Sequence, residues 1–208
     1  MSKINAFYNR INLADIGRIF YGLAITEVGA QLIYYHSFPY VLPLPEHVRL
    51  PLIQVSAYLF GGLFVLAGLC IVIKKMARQA SFLLAGVLLL VFCCYYIPYE
   101  FWSHSYRHFE EWENAEKELA LAAGALVIAG CFPENAHLKK LAPAGAILFA
   151  IPIICFGCLH FLEAEAASPL VPSWIPYHLF WMYFCGAALI GSGISIILKI
   201  RTGLFAAL

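Results

Sequence analysis

Cys155, Cys158, His160 and Glu163 close an apolar run whose end reads "CFGCLHFLEAEAAS", residues 155 to 168. Two thiols three residues apart can close a small disulfide and exchange electrons once one of them ionises. An imidazole and a carboxylate at i and i+3 share a face if the helix continues. There, with Glu165, His36 or His178, they could relay a proton or hold a metal. Each feature also has a plainer reading. Cysteine is a comfortable small apolar residue, and histidines and acids collect at a headgroup boundary. No HxxxH pair lies within one apolar run; His104 and His108 have the interval but sit in a connecting segment. No metal site is therefore expected. Cys93 and Cys94 are adjacent, point to different helix faces and read as packing.

Glu27 is the acid expected within the hydrophobic depth. A carboxylate there is costly, and by default it is functional or paired. Gln31 lies one turn further on the same face, so a buried polar pocket around Glu27 is expected. The stretch "YIPYEFWSHSYRHFEEWENAEKELALAAG", 96 to 124, is dense in aromatic and charged residues. Trp102, Trp112, Tyr99 and Tyr106 suit an interfacial belt. Asn114 could cap the helix that follows. Lys117 calls for a carboxylate partner or an anionic ligand. Trp174, Tyr177 and His178, from "SPLVPSWIPYH", are expected near the mouth of any pocket at that end.

The elements that must position these groups follow from composition. The 208 residues are 62% hydrophobic and 12% charged, with mean hydropathy +0.81. A soluble domain carries about 25% charged residues, so lipid is the expected solvent. Six hydrophobic spans run from Ile16 to Tyr35, Leu52 to Ile73, Ala80 to Tyr99, Glu118 to Phe132, Leu141 to His160 and Tyr177 to Leu198. A helix needs about 20 mostly apolar residues to cross a bilayer; only the fourth span is short. The runs are continuous rather than alternating, which points to helices and not strands. The polar residues 1 to 15, followed by a span of full crossing length, read as no cleavable signal peptide.

Basic residues set the orientation. With a cytoplasmic N-terminus, the inner side receives Lys3, Arg10, Arg18, Lys74, Lys75, Arg78, Lys139, Lys140, Lys199 and Arg201. The outer side receives Arg49, Arg107 and Lys117. Every inner segment agrees with the positive-inside rule. Six of the seven histidines and nine of the twelve acids then fall at the outer face or its rim, where any chemistry is expected.

The chain also repeats. "AYLFGGLFVLAGLCIVIKK" (57 to 75) aligns without a gap with "MYFCGAALIGSGISIILKI" (182 to 200) at an offset of 125. The first and fifth spans align at an offset of 128, pairing Gly17 with Gly145, Gly29 with Gly157 and Glu27 with Cys155. An even number of intervening helices makes the repeat parallel. Residues 1–135 form a four-helix unit, and 136–208 form a second, incomplete repeat of two helices. "KIRTGLFAAL" starts as "KKMARQASFLLAG" does and then stops, which reads as two helices lost in evolution or as a truncated end, the apolar finish favouring the latter. The expected fold class is all-α: a polytopic membrane bundle of six transmembrane helices.

"FGCLHF", "LVPSWIP", "WMYFCGAALIGSGI" and "WENAEKELALAAG" together resemble the DoxX-like family of small bacterial membrane proteins. The usual member is a single four-helix unit, so this chain looks like one and a half. The resemblance implies a bacterial inner-membrane location and association with thiol or sulfur oxidation that feeds quinones. Its architecture is also similar to the vitamin K epoxide reductase group, whose chemistry uses a membrane CxxC. Positions matching the family pattern are His160, Pro172, Pro176, Trp112 and Lys117. Leu32 stands where the second repeat has His160, so the halves are not functionally equivalent.

Two readings result. In the first, a redox-associated subunit holds a quinone or small apolar ligand near the outer face. Glu27 and His160 handle protons, Trp174 and Tyr177 line the mouth, and Cys155 and Cys158 are optional electron carriers. In the second, the chain is a non-enzymatic accessory or scaffold subunit that docks other membrane subunits through its aromatic loops. Transport, suggested by the repeat and Glu27, lacks any signal of broken helices. Nucleic acid is excluded as a partner, because the basic residues are few and sit at membrane boundaries.

Overall fold

The computed structural model describes residues 13–38, 53–102, 112–132 and 138–200. Several residues named above lie outside them: Lys3 and Arg10; Arg49; His104, Tyr106, Arg107 and His108; and Arg201 with the end of the chain. Within the described residues each continuous apolar run is helical, as backbone groups in lipid require, and no strand occurs. Six long helices follow in order: α1 Leu13–Tyr35, α2 Ile53–Val72, α3 Ala77–Trp102, α4 Glu113–Gly130, α5 Leu141–Leu162 and α6 His178–Leu198.

Four of the six are long and apolar enough to cross a membrane: α2, α3, α5 and α6. The other two are long enough but more polar. Helix α1 carries Asp15, Arg18 and Glu27, and α4 opens on Glu113, Glu116, Lys117 and Glu118.

Helix α3 is longer at both ends than the expected span. Pro98 offers no N–H to the carbonyl of Cys94 and crowds it. The wide π turn Phe92–Tyr96 just before it accommodates that defect without ending the helix. Helix α4 begins at Glu113, with Trp112 and not Asn114 in the cap position. Asn114 lies inside the first turn, where the early acids Glu113 and Glu116 complement the helix dipole.

Consecutive helices pack antiparallel, α1 on α2 through to α5 on α6. One end of the bundle therefore gathers Arg18, Lys74, Arg78 and Lys199. The other gathers His36, Trp112, His160 and His178. Tyr21 on α1 donates to the Leu121 carbonyl of α4 at 2.6 Å, closing α1–α4 into a unit. The core sits inside that unit: Ile25, Leu32, Phe64, Ile71, Leu84, Leu88 and Ala122 are fully or almost fully buried. The pair α5/α6 is joined to this unit along α4. There a Cβ on Gly145 would lie 2.8 Å from the Val127 nitrogen.

The glycines matched in sequence are matched in space. A Cβ on Gly61 would lie 2.8 Å from the Gly29 carbonyl oxygen, and one on Gly186 would lie 2.9 Å from that of Gly157. A Cβ on Gly68 would meet the Gly22 oxygen, and one on Gly193 the oxygen of Ala150, the residue offset by 128 from Gly22. Close backbone approach at small residues is how helices pair in lipid. Both hairpins also end alike: Lys74 and Lys199, offset by 125, have φ of 64° and 56°.

Candidate functional site

At the histidine-bearing end, α4, α5 and α6 with the turn after α5 enclose a pocket of about 460 Å³. His160, Glu163 and Glu113 bring polar atoms to it; Phe156, Leu159, Leu170, Trp181 and Met182 form an apolar wall, with Cys185 alongside. Helix α5 ends at Leu162, and Glu163 takes the cap position. His160 and Glu163 therefore face one space even though the helix does not carry both.

The orientation of His160 has a chemical consequence. Its Nδ1 lies 2.8 Å from the Phe156 carbonyl oxygen. A carbonyl only accepts, so Nδ1 carries the proton in the neutral ring. Nε2 is then an acceptor, able to take a proton from an acidic hydroxyl in the pocket. On the opposite wall Trp181 Nε1 donates to the Pro176 carbonyl at 3.1 Å, which fixes the indole.

Lys117 pairs with Glu113 at 2.6 Å, one turn away on α4. The carboxylate partner expected for Lys117 is thus its own helix neighbour. Trp112 stands at the start of the same helix, edge-on to Phe101 with centroids 6.4 Å apart.

Behind the pocket, α4 turns Glu116 and Glu118 inward; Glu118 is 2% exposed. The Cys155 thiol lies within hydrogen-bonding reach of Glu116. Glu118 is within electrostatic range of the Tyr21 and Tyr96 hydroxyls. Glu100 on α3 is also buried. Among the described residues, Oε2 of both Glu116 and Glu118 has no hydrogen-bond partner.

This corrects the expectation that Glu27 is the acid of the hydrophobic interior. Glu27 is exposed on the outside of α1, where it accepts a hydrogen bond from Gln31. The enclosed acids are those of α4. The helix starts five residues earlier than its apolar span, and its packing between α3 and α5 turns Glu118 toward Tyr96 of α3. Their signal in the sequence was the i, i+2 pair of acids opening an alanine-rich helix, which looked like an interfacial cluster.

Other expected site residues are dispersed. His36 lies beyond the end of α1 and pairs with Tyr58 of α2, Nδ1 to hydroxyl 2.7 Å, and neither it nor Glu27 lines the His160 pocket. Trp174 and Tyr177 are 80% and 81% exposed and also stand outside its walls. His178 begins α6, half-buried. Cys155 and Cys158 are free thiols, as are Cys93 and Cys94. No group of three metal-ligating side chains occurs among the described residues.

At the basic end Arg18 reaches the carbonyls of Ile71 and Val72, the latter at 2.7 Å, and Asp15 at 3.2 Å. The guanidinium thereby satisfies the open end of α2. Asp15, which precedes the apolar span, also meets Lys74 at 3.1 Å. The hydrogen bonds from Lys74 and Arg18 hold its carboxyl below the usual aspartate range. Beside this cluster an apolar groove of about 580 Å³ runs between α1, α4 and α5, past Tyr21, Gly124, Cys131 and Phe149.

Together these features define an all-helical membrane protein with a polar-tipped, aromatic-walled pocket at one end. Comparison with family models, curated proteins and solved structures finds no match to this chain.

Proposed function

We propose that this protein is a redox-associated subunit, DoxX-like, that holds a quinone or a comparable small apolar ligand near the outer face of a bacterial inner membrane. In this reading all six long helices cross the bilayer and the N-terminus is cytoplasmic. The observation that carries the proposal is the pocket of about 460 Å³ that joins an acceptor imidazole, His160, to two carboxylates under an aromatic wall. A quinone needs an apolar slot for its ring and a proton supply for the oxygens that become hydroxyls as it is reduced. His160 Nε2 picks up a proton and hands it to a ring oxygen, and Glu163 and Glu113 resupply it. The two electrons come from the oxidoreductase with which the subunit associates, which oxidises a thiol or sulfur compound.

The test is binding of a short-chain ubiquinol or menaquinol analogue to the protein in nanodiscs, followed by quenching of tryptophan fluorescence. His160→Leu should weaken binding roughly tenfold, the worth of about one hydrogen bond to a charged or strongly polar group. Cys155→Ser with Cys158→Ser should leave it within twofold. Undiminished binding by the His160 variant overturns the assignment. Labelling of Lys74 or Lys140 from outside intact cells overturns the orientation.

The accessory-subunit reading keeps one observation in its favour. Phe180, Trp181 and Phe184 form an exposed aromatic cluster on α6, with centroid spacings of 5.4 to 6.0 Å. Co-purification of a fixed set of membrane proteins, with no quinol binding, would favour it.

A further inference from the structure

The exposed polar pair on α1 has no counterpart in the second repeat. Glu27 is three residues past the middle of α1, about 4.5 Å along the axis. With α1 spanning the bilayer, as proposed above, this is the depth of the hydrocarbon centre. Glu27 and Gln31 bond to each other there, with Phe20 at 70% exposure and Leu23 at 50% beside them. Ionisable groups facing acyl chains are costly and are almost always turned to protein or a wet cavity. A surface that satisfies this pair is therefore required.

The repeat shows what kind of surface. Gly145, Pro152 and Cys155 of α5 correspond, at offset 128, to Gly17, Ala24 and Glu27 of α1. On α5, Gly145 packs on α4, Cys155 reaches Glu116 of α4, and Pro152 is buried. On α1, Gly17 opens onto the apolar groove beside α4 and α5, whereas Ala24 and Glu27 are exposed. The stripe Phe20, Ala24, Glu27, Gln31 advances by 4, 3 and 4 residues, which is the spacing of a helix–helix seam. A helix covers this face in one repeat, and the face is bare in the other.

We infer that the face is covered by α1 of a second copy of this chain, about a two-fold axis along the membrane normal. Two features select a second copy. The head-to-tail alternative needs an α4 to cover α1, but the α4 of every copy is already engaged by its own α5. In addition, Glu27 and Gln31 are self-complementary. The carboxamide both donates and accepts, so across a two-fold axis each Gln31 can meet the partner's Glu27, as an isologous contact requires. Ala24 lets the two backbones approach.

The experiment uses the full chain in native-like membranes. A photoactivatable residue replaces Phe20, with a control at Phe180 on α6, which is also exposed. Illumination should yield a covalent homodimer from position 20 and none from position 180. In nanodiscs or dilute micelles, single-molecule photobleaching should show two copies per particle. The double variant Glu27→Leu with Gln31→Leu should raise the dimer dissociation constant tenfold or more, whereas Glu27→Gln, which keeps the hydrogen bonds, should change it less than threefold. The leucine variant makes α1 more apolar, so misfolding is not its expected failure. Crosslinks from position 20 to lipid alone or to a different protein overturn the inference, as does a dimer unaffected by the double variant. Aqueous labelling of a cysteine placed at Leu23 would instead overturn the transmembrane reading of α1 on which the inference rests.

Discussion

The hairpins α1/α2 and α5/α6 use the same contacts in different company. Each crosses at paired glycines, and each ends on a lysine in the left-handed region. Around α1/α2, however, α3 and α4 add a core of large side chains, and Leu32, Ile71, Leu84 and Leu88 are at most 1% exposed. Within α5/α6 the buried residues are small ones: Gly145, Ala150, Pro152, Gly157, Gly186, Gly193 and Ser195. Backbone approach is thus enough to form the hairpin, while the bulk of the packing belongs to the first unit. The second hairpin is free to spend its outer end on a pocket. His160 stands where the first hairpin has the core residue Leu32.

That equivalence offers the sharpest way to break the comparison. Leu32→Ala should cost about 3 kcal/mol of stability, in the range for a fully buried leucine. His160→Ala should cost less than about 1 kcal/mol, because its side chain is only half-buried. Reversible unfolding in mixed micelles checks both. Equal losses would mean that the second hairpin carries as much packing as the first.

The glycine crossings come next. A Cβ on Gly29 would stand 2.7 Å from both the Gly61 oxygen and the Val65 nitrogen, and α2 is held in place by α3 behind it. Gly29→Ala should destabilise by roughly 2 kcal/mol. At Gly157 the Gly186 oxygen is 2.9 Å away, but among the described residues α5 is the long helix on which α6 packs extensively, and α6 can yield. Gly157→Ala should therefore cost less than about 1 kcal/mol by the same measurement.

A smaller effect separates the two lysine caps. Positive φ favours glycine, so Lys199→Gly should stabilise by about 0.5–1 kcal/mol. Lys74→Gly should gain less, because it also removes the 3.1 Å contact with Asp15.

The smallest effect is one of pH. Asp15 has its pKa lowered in the folded state, so its contribution is present above the ordinary aspartate range. It is lost as the pH falls through the lowered folded value. Asp15→Asn should flatten the acid limb of the stability curve below about pH 4. The second hairpin has Pro143 at the equivalent position and contributes no such term. An unchanged acid limb would show that the exposed pair is screened out.

Much of this could be read from residue order. Long continuous apolar runs forced helices, and six of 18 residues or more are present. The offsets of 125 and 128 named the glycines that meet in space. His160 and Glu163 do line one pocket, but through the cap after Leu162 and not through the continued helix that their i, i+3 spacing assumed. Less readable was the phase of α4. The span was drawn from where hydropathy rises, whereas the helix begins where its acids can face the backbone N–H groups, at Glu113. Whether Glu118 looks at lipid or at Tyr96 is set by how α4 packs between α3 and α5, not by where the helix starts. Likewise, Glu27 was expected to be enclosed because carboxylates shun hydrocarbon. The fold leaves its face open, and the cost is transferred to whatever covers it.

Local chemistry alone settled that this chain is helical, that it belongs in a membrane and that its small residues would pair the helices, because each of these depends on neighbours within a turn or on total apolarity. Which carboxylates are buried, which thiol meets which acid and which histidine opens into a pocket depended on how α4 is rotated between α3 and α5. That rotation is set by contacts between residues far apart in the chain, and no window of sequence contains them.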